Sequence, residues 1–275
     1  MRGADRVRLD QILVDRGLVE SRNAARGLIM AGLVKVEGLR EDKAGAPVRT
    51  DAAVDIQQRP RFVSRAGEKL AHALEALEVD PAGCSALDVG ASTGGFVDCL
   101  LQSGASRVIA LDVGHGQLDA RFRADPRVSV IERTNARHLT PEQLPFQPDL
   151  LTVDVSFISL EKIMPAVISC MAALFTGLLL VKPQFEAGPR NVGKGGIVRD
   201  TAVHVEVLRR VGVALQALGL TVAGLCDSGL PGTGGNVEFV YRVDRGRGDG
   251  LSPATLDRLV CHVARAEGGS EWATA

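Results

Sequence analysis

The stretch that most constrains this chain is Ala86-Leu-Asp-Val-Gly-Ala-Ser-Thr-Gly-Gly-Phe96. A short apolar run ends in Asp88, a glycine-rich turn follows from Gly90 to Gly95, and an amphipathic stretch starts at Phe96 and Val97. The pattern predicts a strand, a tight loop and the start of a helix. Such a turn lets backbone N–H groups and a helix N-terminus approach a ligand closely. Glycine is required where a side chain would block that approach or where φ must be positive. A dinucleotide fingerprint reads G-x-G-x-x-G, whereas this loop reads G-x-x-x-G-G, a departure that counts against a pyrophosphate site. A tight βα turn with no ligand is the plain alternative, because function lives in the site and not in the fold.

The loop resembles the first motif of S-adenosylmethionine-dependent methyltransferases, in which it wraps a methionine tail without a phosphate. The resemblance implies S-adenosylmethionine as cofactor, with Asp88, Gly90, Ser92, Thr93, Gly94, Gly95 and Phe96 around it. The next strand, Val108–Leu111, ends in Asp112 and is followed by Val113. In this fold an acidic residue at that position accepts hydrogen bonds from ribose hydroxyls. Strand Val128–Ile131 leads into Arg133-Thr-Asn-Ala136, where Asn135 is either a reader of an adenine edge or a turn former.

Charge divides the chain. Residues 1–65 carry 13 Lys/Arg against 9 Asp/Glu, while the whole chain sums to −1. A small basic head on an acidic body suggests that the head meets a polyanion, ordinary solvated charge being the alternative. Five scattered cysteines, with no C-x-x-C and no paired His/Cys spacing, point to reduced thiols, a cytoplasmic setting and no metal. Residues 163–181 contain no formal charge and are long enough to pass for a membrane span. Pro165 and Thr176-Gly177 favour a buried helix to about Phe175, a turn, and a buried strand Leu178–Val181. No stable membrane insertion is expected.

In the head, Leu9, Ile12 and Leu13 share one helical face that stops at Gly17. Ser21 caps a second helix ending near Gly32, with Arg22 and Arg26 one turn apart. Short strands are expected at Val34–Val36 and around Ala53–Ile56. The string of caps, glycines and basic residues over about residues 6–58 resembles the small RNA-binding domain first described in ribosomal protein S-four. That resemblance implies that Arg8, Arg22 and Arg26 face RNA phosphates, with shape and backbone recognition and little base stacking. Residues 59–63 read as a linker, in which Arg61 is either a solvated charge or an RNA contact. Arg65, just past the linker, joins the RNA-facing set.

A helix from Ser64 to about Leu77 buries Leu70, Ala73, Leu74 and Leu77 and places Lys69 near its start. Strand Leu150–Val153 ends in Asp154, strand Leu178–Val181 ends in Lys182, and Glu238 opens the last strand. Charged residues directly after apolar strand runs are costly unless paired or functional. After Asp154 the chain reads Val155-Ser-Phe-Ile-Ser159, without the prolines usual in enzymes that methylate exocyclic amines.

The order Lys69, Asp154, Lys182, Glu238 matches the tetrad of FtsJ-type ribose 2′-O-methyltransferases. SRAGEKL, DVGASTGGF, DVGHGQL, ERTNAR, DVSFISL, VKPQFE and PGTGGNVE follow the order of the TlyA (hemolysin A) family, and near the whole chain resembles it. Phe62 departs from the family's usual tryptophan. The resemblance implies a Rossmann-like α/β class I methyltransferase domain, residues 64–275, behind a small N-terminal α+β RNA-binding domain, residues 1–58. It further implies methylation of cytidine ribose 2′-hydroxyls in ribosomal RNA or ribosomal subunits, with the four tetrad residues catalytic. Three other readings stay open here: a membrane-active hemolysin, a non-catalytic RNA-binding or ribosome-assembly factor, and a nicotinamide oxidoreductase, which the loop spacing opposes.

Overall fold

The computed structural model describes residues 6–57, 60–246, 248 and 250–266. The chain divides into two compact units, residues 1–60 and 61–275. The residues after Gly268, which the sequence reads as a frayed tail, lie outside the described residues.

The smaller unit runs β1 (Arg6–Arg8), α1 (Leu9–Asp15), α2 (Arg22–Met30), β2 (Val34–Val36), β3 (Leu39–Arg40), β4 (Pro47–Arg49) and β5 (Val54–Ile56). β1 pairs antiparallel with β4, and β2 lies between β3 and β5. Leu9, Ile12, Leu13, Ala25, Ile29 and Val34 form its core. The Ser21 hydroxyl caps α2 by accepting the Ala24 N–H at 3.2 Å. Strands β1, β3 and β4 have two or three residues each, too few to show an alternation in sequence.

The larger unit runs α3 (Arg65–Ala76), β6 (Ser85–Val89), α4 (Gly95–Gln102), β7 (Arg107–Leu111), α5 (Ala120–Ala124), β8 (Val128–Ile131), β9 (Leu150–Val153), α6 (Leu160–Ser169), β10 (Phe175–Val181), α7 (Pro183–Glu186), α8 (Thr201–Ala217), β11 (Thr221–Asp227), β12 (Phe239–Arg245) and α9 (Pro253–Ala266). Seven strands make one sheet in the order β11-β12-β10-β9-β6-β7-β8. β6 to β10 are parallel, and β12 is antiparallel to both its neighbours. Alternate strand residues enter two separate cores. Leu87, Ile109, Leu151 and Leu179 pack with α6, α8 and α9. Ala86, Val108, Leu150 and Leu178 pack with α3 and α4. With both faces covered, the strands read as continuous apolar runs, and all seven residues of β10 are buried. This is the Rossmann-like class I methyltransferase arrangement that the sequence implied.

Two boundaries differ from expectation. In residues 163–181 the helix stops at Ser169 and the strand starts at Phe175, so Thr176-Gly177 lies inside β10. The Thr176 hydroxyl is paid back for its burial by donating to Asp244 Oδ1 at 2.6 Å, and Gly177 sits against Val243 and Leu151. Residues 61–63, expected to be linker, are built into the larger unit. Phe62 is buried against Gly67, the Val63 N–H donates to Asp98 Oδ2 at 2.9 Å, and the Arg61 carbonyl accepts from Gln102 at 3.0 Å.

Candidate active site

The strand order reverses at β6, which has β9 on one side and β7 on the other. In open α/β sheets the crevice at such a point, beyond the carboxyl ends of the strands, is where ligands bind. Gly90 leaves β6 with φ +90°, and a Cβ there would lie 2.3 Å from the Asp154 carbonyl oxygen. Glycine therefore lets the chains leaving β6 and β9 touch. Gly95 opens α4, and a side chain there would meet the Ser64 hydroxyl, so the loop closes onto the start of α3. Gly94 is buried between Leu118 and Phe122.

A cleft of about 420 Å³ lies at the reversal point, within the size range of small-molecule sites. Its walls include Gly90, Ser92, Asp112, Val113, Asn135 and Asp154. A second cavity of about 180 Å³ shares Gly90, Ser92, Asp154 and Ser156 with it and adds Thr93, Gly95, Phe96 and Lys182. Asp112 Oδ1 accepts the Gly114 N–H at 2.6 Å and Oδ2 accepts the Ser92 N–H at 2.8 Å. A carboxylate has about four lone-pair sites, so Asp112 ties two loops together and keeps acceptor capacity for a ligand. Asn135 both lines the cleft and forms a turn: its side-chain oxygen accepts the Arg137 N–H at 3.0 Å, leaving the amide NH₂ as its ligand-facing donor. Asp88 lines neither cavity. It is fully buried, and Oδ1 accepts the Thr152 hydroxyl at 2.8 Å from the neighbouring strand. Burial first, and the nearby Asp154 and Asp112 charges after it, push its carboxyl up to about 8. Asp88 thus braces β6 against β9.

Asp154, Lys182 and Glu238 at strand ends and Lys69 on α3 form two ion pairs. Lys182 Nζ lies 2.5 Å from Asp154 Oδ1 and donates to the Ser156 hydroxyl at 3.0 Å. Lys69 Nζ donates to Glu238 Oε2 at 2.6 Å, and this pair is almost wholly buried. Glu238 precedes β12, and Gly232 leaves the space its carboxylate occupies. Arg65 closes the same loop by donating to the Pro231 carbonyl at 3.0 Å. Among the described residues no group of three His, Cys, Asp or Glu side chains is placed to hold a metal ion.

Residues 62–245 match the FtsJ-like methyltransferase family and residues 7–54 match the S4 domain. Over 267 residues the chain is 43% identical to the 16S/23S rRNA (cytidine-2′-O)-methyltransferase TlyA of Mycobacterium tuberculosis, covering 96% of this chain and 99% of that protein. This chain belongs to the TlyA family of FtsJ-like methyltransferases. Hemolysin A of Brachyspira hyodysenteriae is 38% identical over 85% of this chain and 98% of its own. A solved structure from Streptococcus thermophilus that carries a hemolysin name superposes with a TM-score of 0.72 at 36% identity, covering 96% of this chain and 98% of that one.

In this TlyA-family chain, the S4 unit brings Arg8, Arg22 and Arg26 together on the Asp10 carboxylate. Arg61 is exposed and lies over the Phe62 ring at 4.8 Å. In the methyltransferase unit, α7 carries the loop that follows β9. Lys182 holds Ser156, the Phe185 ring lies 4.9 Å from that of Phe157, and the buried Glu186 accepts the Leu160 N–H at 2.8 Å. Phe157 is 90% exposed at the edge of the larger cleft, with φ +65°. Ser156, Phe157 and Glu186 stand at this site without being marked as site residues by the sequence. One hydroxyl, one ring and one glutamate in separate loops have no spacing that marks them, although all three stand in the strings DVSFISL and VKPQFE.

Proposed function

We propose that this chain transfers a methyl group from S-adenosylmethionine to the ribose 2′-hydroxyl of a cytidine in ribosomal RNA, working in the cytoplasm on RNA or ribosomal subunits. The observation that carries this reading is the Lys182–Asp154 pair at the carboxyl ends of adjacent parallel strands, beside a nucleoside-sized cleft walled by Asp112. The rRNA (cytidine-2′-O)-methyltransferase activity of the Mycobacterium tuberculosis relative supports it.

Bound S-adenosylmethionine supplies an electrophilic methyl carbon on a positive sulfur. Gly90, Ser92, Thr93, Gly95 and Phe96 suit its amino-acid end, because their backbone can approach closely. Asp112 suits its ribose, while Val113 and Asn135 suit its base. The chain's own residues would hold the 2′-hydroxyl in line with that methyl carbon while its proton passes to water. A ribose hydroxyl is a weak nucleophile, so alignment and proton removal are the main tasks. Lys182 Nζ, fixed by Asp154 and Ser156, contacts the hydroxyl and stabilises negative charge developing on its oxygen. The Lys69–Glu238 pair holds the adjoining loop. Two lysines and two carboxylates leave the group neutral, which makes its burial tolerable. Phe157 offers an exposed ring for a nucleotide base to stack on, and the S4 arginines hold the RNA backbone.

A membrane-active reading needed residues 163–181 to form one apolar helix. That segment is most of α6, a turn and the interior strand β10, and among the described residues no helix is long and apolar enough to cross a membrane. The test is transfer of labelled methyl from S-adenosylmethionine to unmodified rRNA and to intact subunits, with Lys182→Ala alongside. Label at a ribose, lost in the variant, is expected. Label on a base, or a fully active variant, overturns the reading.

A further inference from the structure

The strongest unexplained feature lies in the S4 unit, where three arginines converge on one buried carboxylate. Asp10 is fully buried. Its Oδ1 accepts Arg8 Nε at 2.9 Å, and its Oδ2 accepts Arg8 Nη2 at 2.9 Å, Arg22 Nη2 at 3.0 Å and Arg26 Nε at 3.3 Å. The three arginine side chains are about half exposed, at 51%, 45% and 49%. Each guanidinium has five N–H donors, so the bonds to Asp10 use a minority of them. One negative charge against three positive leaves the group at +2. Arg8 is also seated on Gly45, where a Cβ would lie 2.9 Å from its Nη1.

A buried carboxylate that only stabilised the fold would need one arginine. Drawing three half-exposed arginines onto one carboxylate instead holds a cluster of guanidinium groups that keeps N–H donors to spare for a ligand. Long side chains lose rotamer freedom when they bind, and holding them beforehand removes that cost. We infer that Asp10 is a positioning residue for RNA binding: it gives up one unit of attraction to hold Arg8, Arg22 and Arg26 ready for adjacent RNA phosphates. This rests on the reading that the S4 unit holds the RNA backbone.

Counting charges and counting order make opposite forecasts. Asp10→Asn raises the group from +2 to +3, so electrostatics alone expects tighter RNA binding and a steeper salt dependence. Preorganisation expects weaker binding, by about tenfold, because three side chains must then be ordered by the RNA. Gly45→Ala is the companion variant. Gly45 is exposed and its φ is not left-handed, so the added methyl moves Arg8 and leaves the charge and Asp10 untouched.

The experiment measures binding of the full chain to unmodified ribosomal subunits over a range of salt, for wild type, Asp10→Asn, Gly45→Ala, Arg22→Ala and Arg26→Ala. Circular dichroism and melting accompany each variant. Weaker binding by all four, with Asp10→Asn folded, is the expected result. Unchanged or tighter binding by Asp10→Asn, with the arginine variants weakened, overturns the role of Asp10 and leaves RNA binding by this face standing. No effect from either arginine variant overturns the RNA-binding reading itself, and this inference with it. If Asp10→Asn does not fold, Gly45→Ala decides: wild-type binding overturns the proposal and weakened binding supports it.

Discussion

Separating the two ion pairs of the site gives a quantitative test of how it is built. Lys69 and Glu238 meet at 2.6 Å with side-chain exposures of 11% and 3%, so neither has much water to fall back on. Removing one partner of a buried pair leaves an uncompensated charge and costs about 3–5 kcal/mol. Neutralising both with residues of similar shape removes the attraction and the desolvation cost together. Lys69→Met and Glu238→Gln are therefore each expected to lower unfolding stability by about 3 kcal/mol or more. The double variant is expected to recover most of that loss. Gly232→Ala attacks the same pair from outside, because a Cβ there would lie 2.0 Å from Glu238 Oε1. Urea unfolding followed by circular dichroism measures all four variants. A loss of this size is readable against a total of about 5–15 kcal/mol for a typical protein. If the single losses simply add in the double variant, within about 0.5 kcal/mol, the two groups are not a coupled pair and the reasoning fails. Raising salt adds a check: buried pairs are little screened, so the losses are expected to persist at high ionic strength.

Other expectations follow from the same geometry. Asp88 holds its proton when folded up to about pH 8, against 3.8 as its ordinary value. Its contribution to stability is therefore full below about pH 4 and is lost as pH rises through 8. Subtracting the stability–pH curve of Asp88→Asn from that of wild type is expected to reveal this fall, and a flat difference would refute it. Gly90→Ala places a methyl against the Asp154 carbonyl in a left-handed backbone, which costs about 1–3 kcal/mol in strain alone. Calorimetry is expected to find S-adenosylmethionine binding abolished, and normal affinity would contradict the fit of that loop. Phe157→Ala is expected to cut kcat/KM for RNA by about tenfold or more, since stacking on an aromatic is worth about 1–3 kcal/mol per base. Phe157→Tyr is expected to restore it, and an active alanine variant would remove the ring from the site.

What was legible in the sequence was local. The run ending in Asp88, the glycine loop and the start of α4 are all set by neighbours a few residues apart, and the strands at 108–111, 128–131 and 150–153 appear where alternating or continuous apolar runs put them. The ends of α6 and β10 differ from the sequence expectation because Thr176-Gly177 looks like a turn in isolation. Only Asp244, on a strand that arrives 68 residues later, gives the threonine its partner. Asp88 shows the same limit in the site. Its position at a strand end suggested a ligand contact, yet its partner is Thr152 on the adjacent strand.

Pairing is where sequence order says least and the fold says most. Four residues in the order Lys, Asp, Lys, Glu read equally well as one network or as any pair of pairs. The sheet chooses, because β9 and β10 are adjacent and parallel, so Asp154 and Lys182 leave the same edge side by side. Lys69 comes from α3 and reaches Glu238 at the entrance to β12, 169 residues away. Lys182 is thereby held by the parts of the chain that also form the cleft, Asp154 and Ser156, while Lys69 is held by a loop outside the cleft linings. A perturbation at Glu238 should then act on stability before chemistry, and one at Asp154 on chemistry before stability. Measuring methyl transfer and unfolding on Asp154→Asn and Glu238→Gln in parallel tests this division. Equal losses of both properties in both variants would mean that the four residues act as one unit.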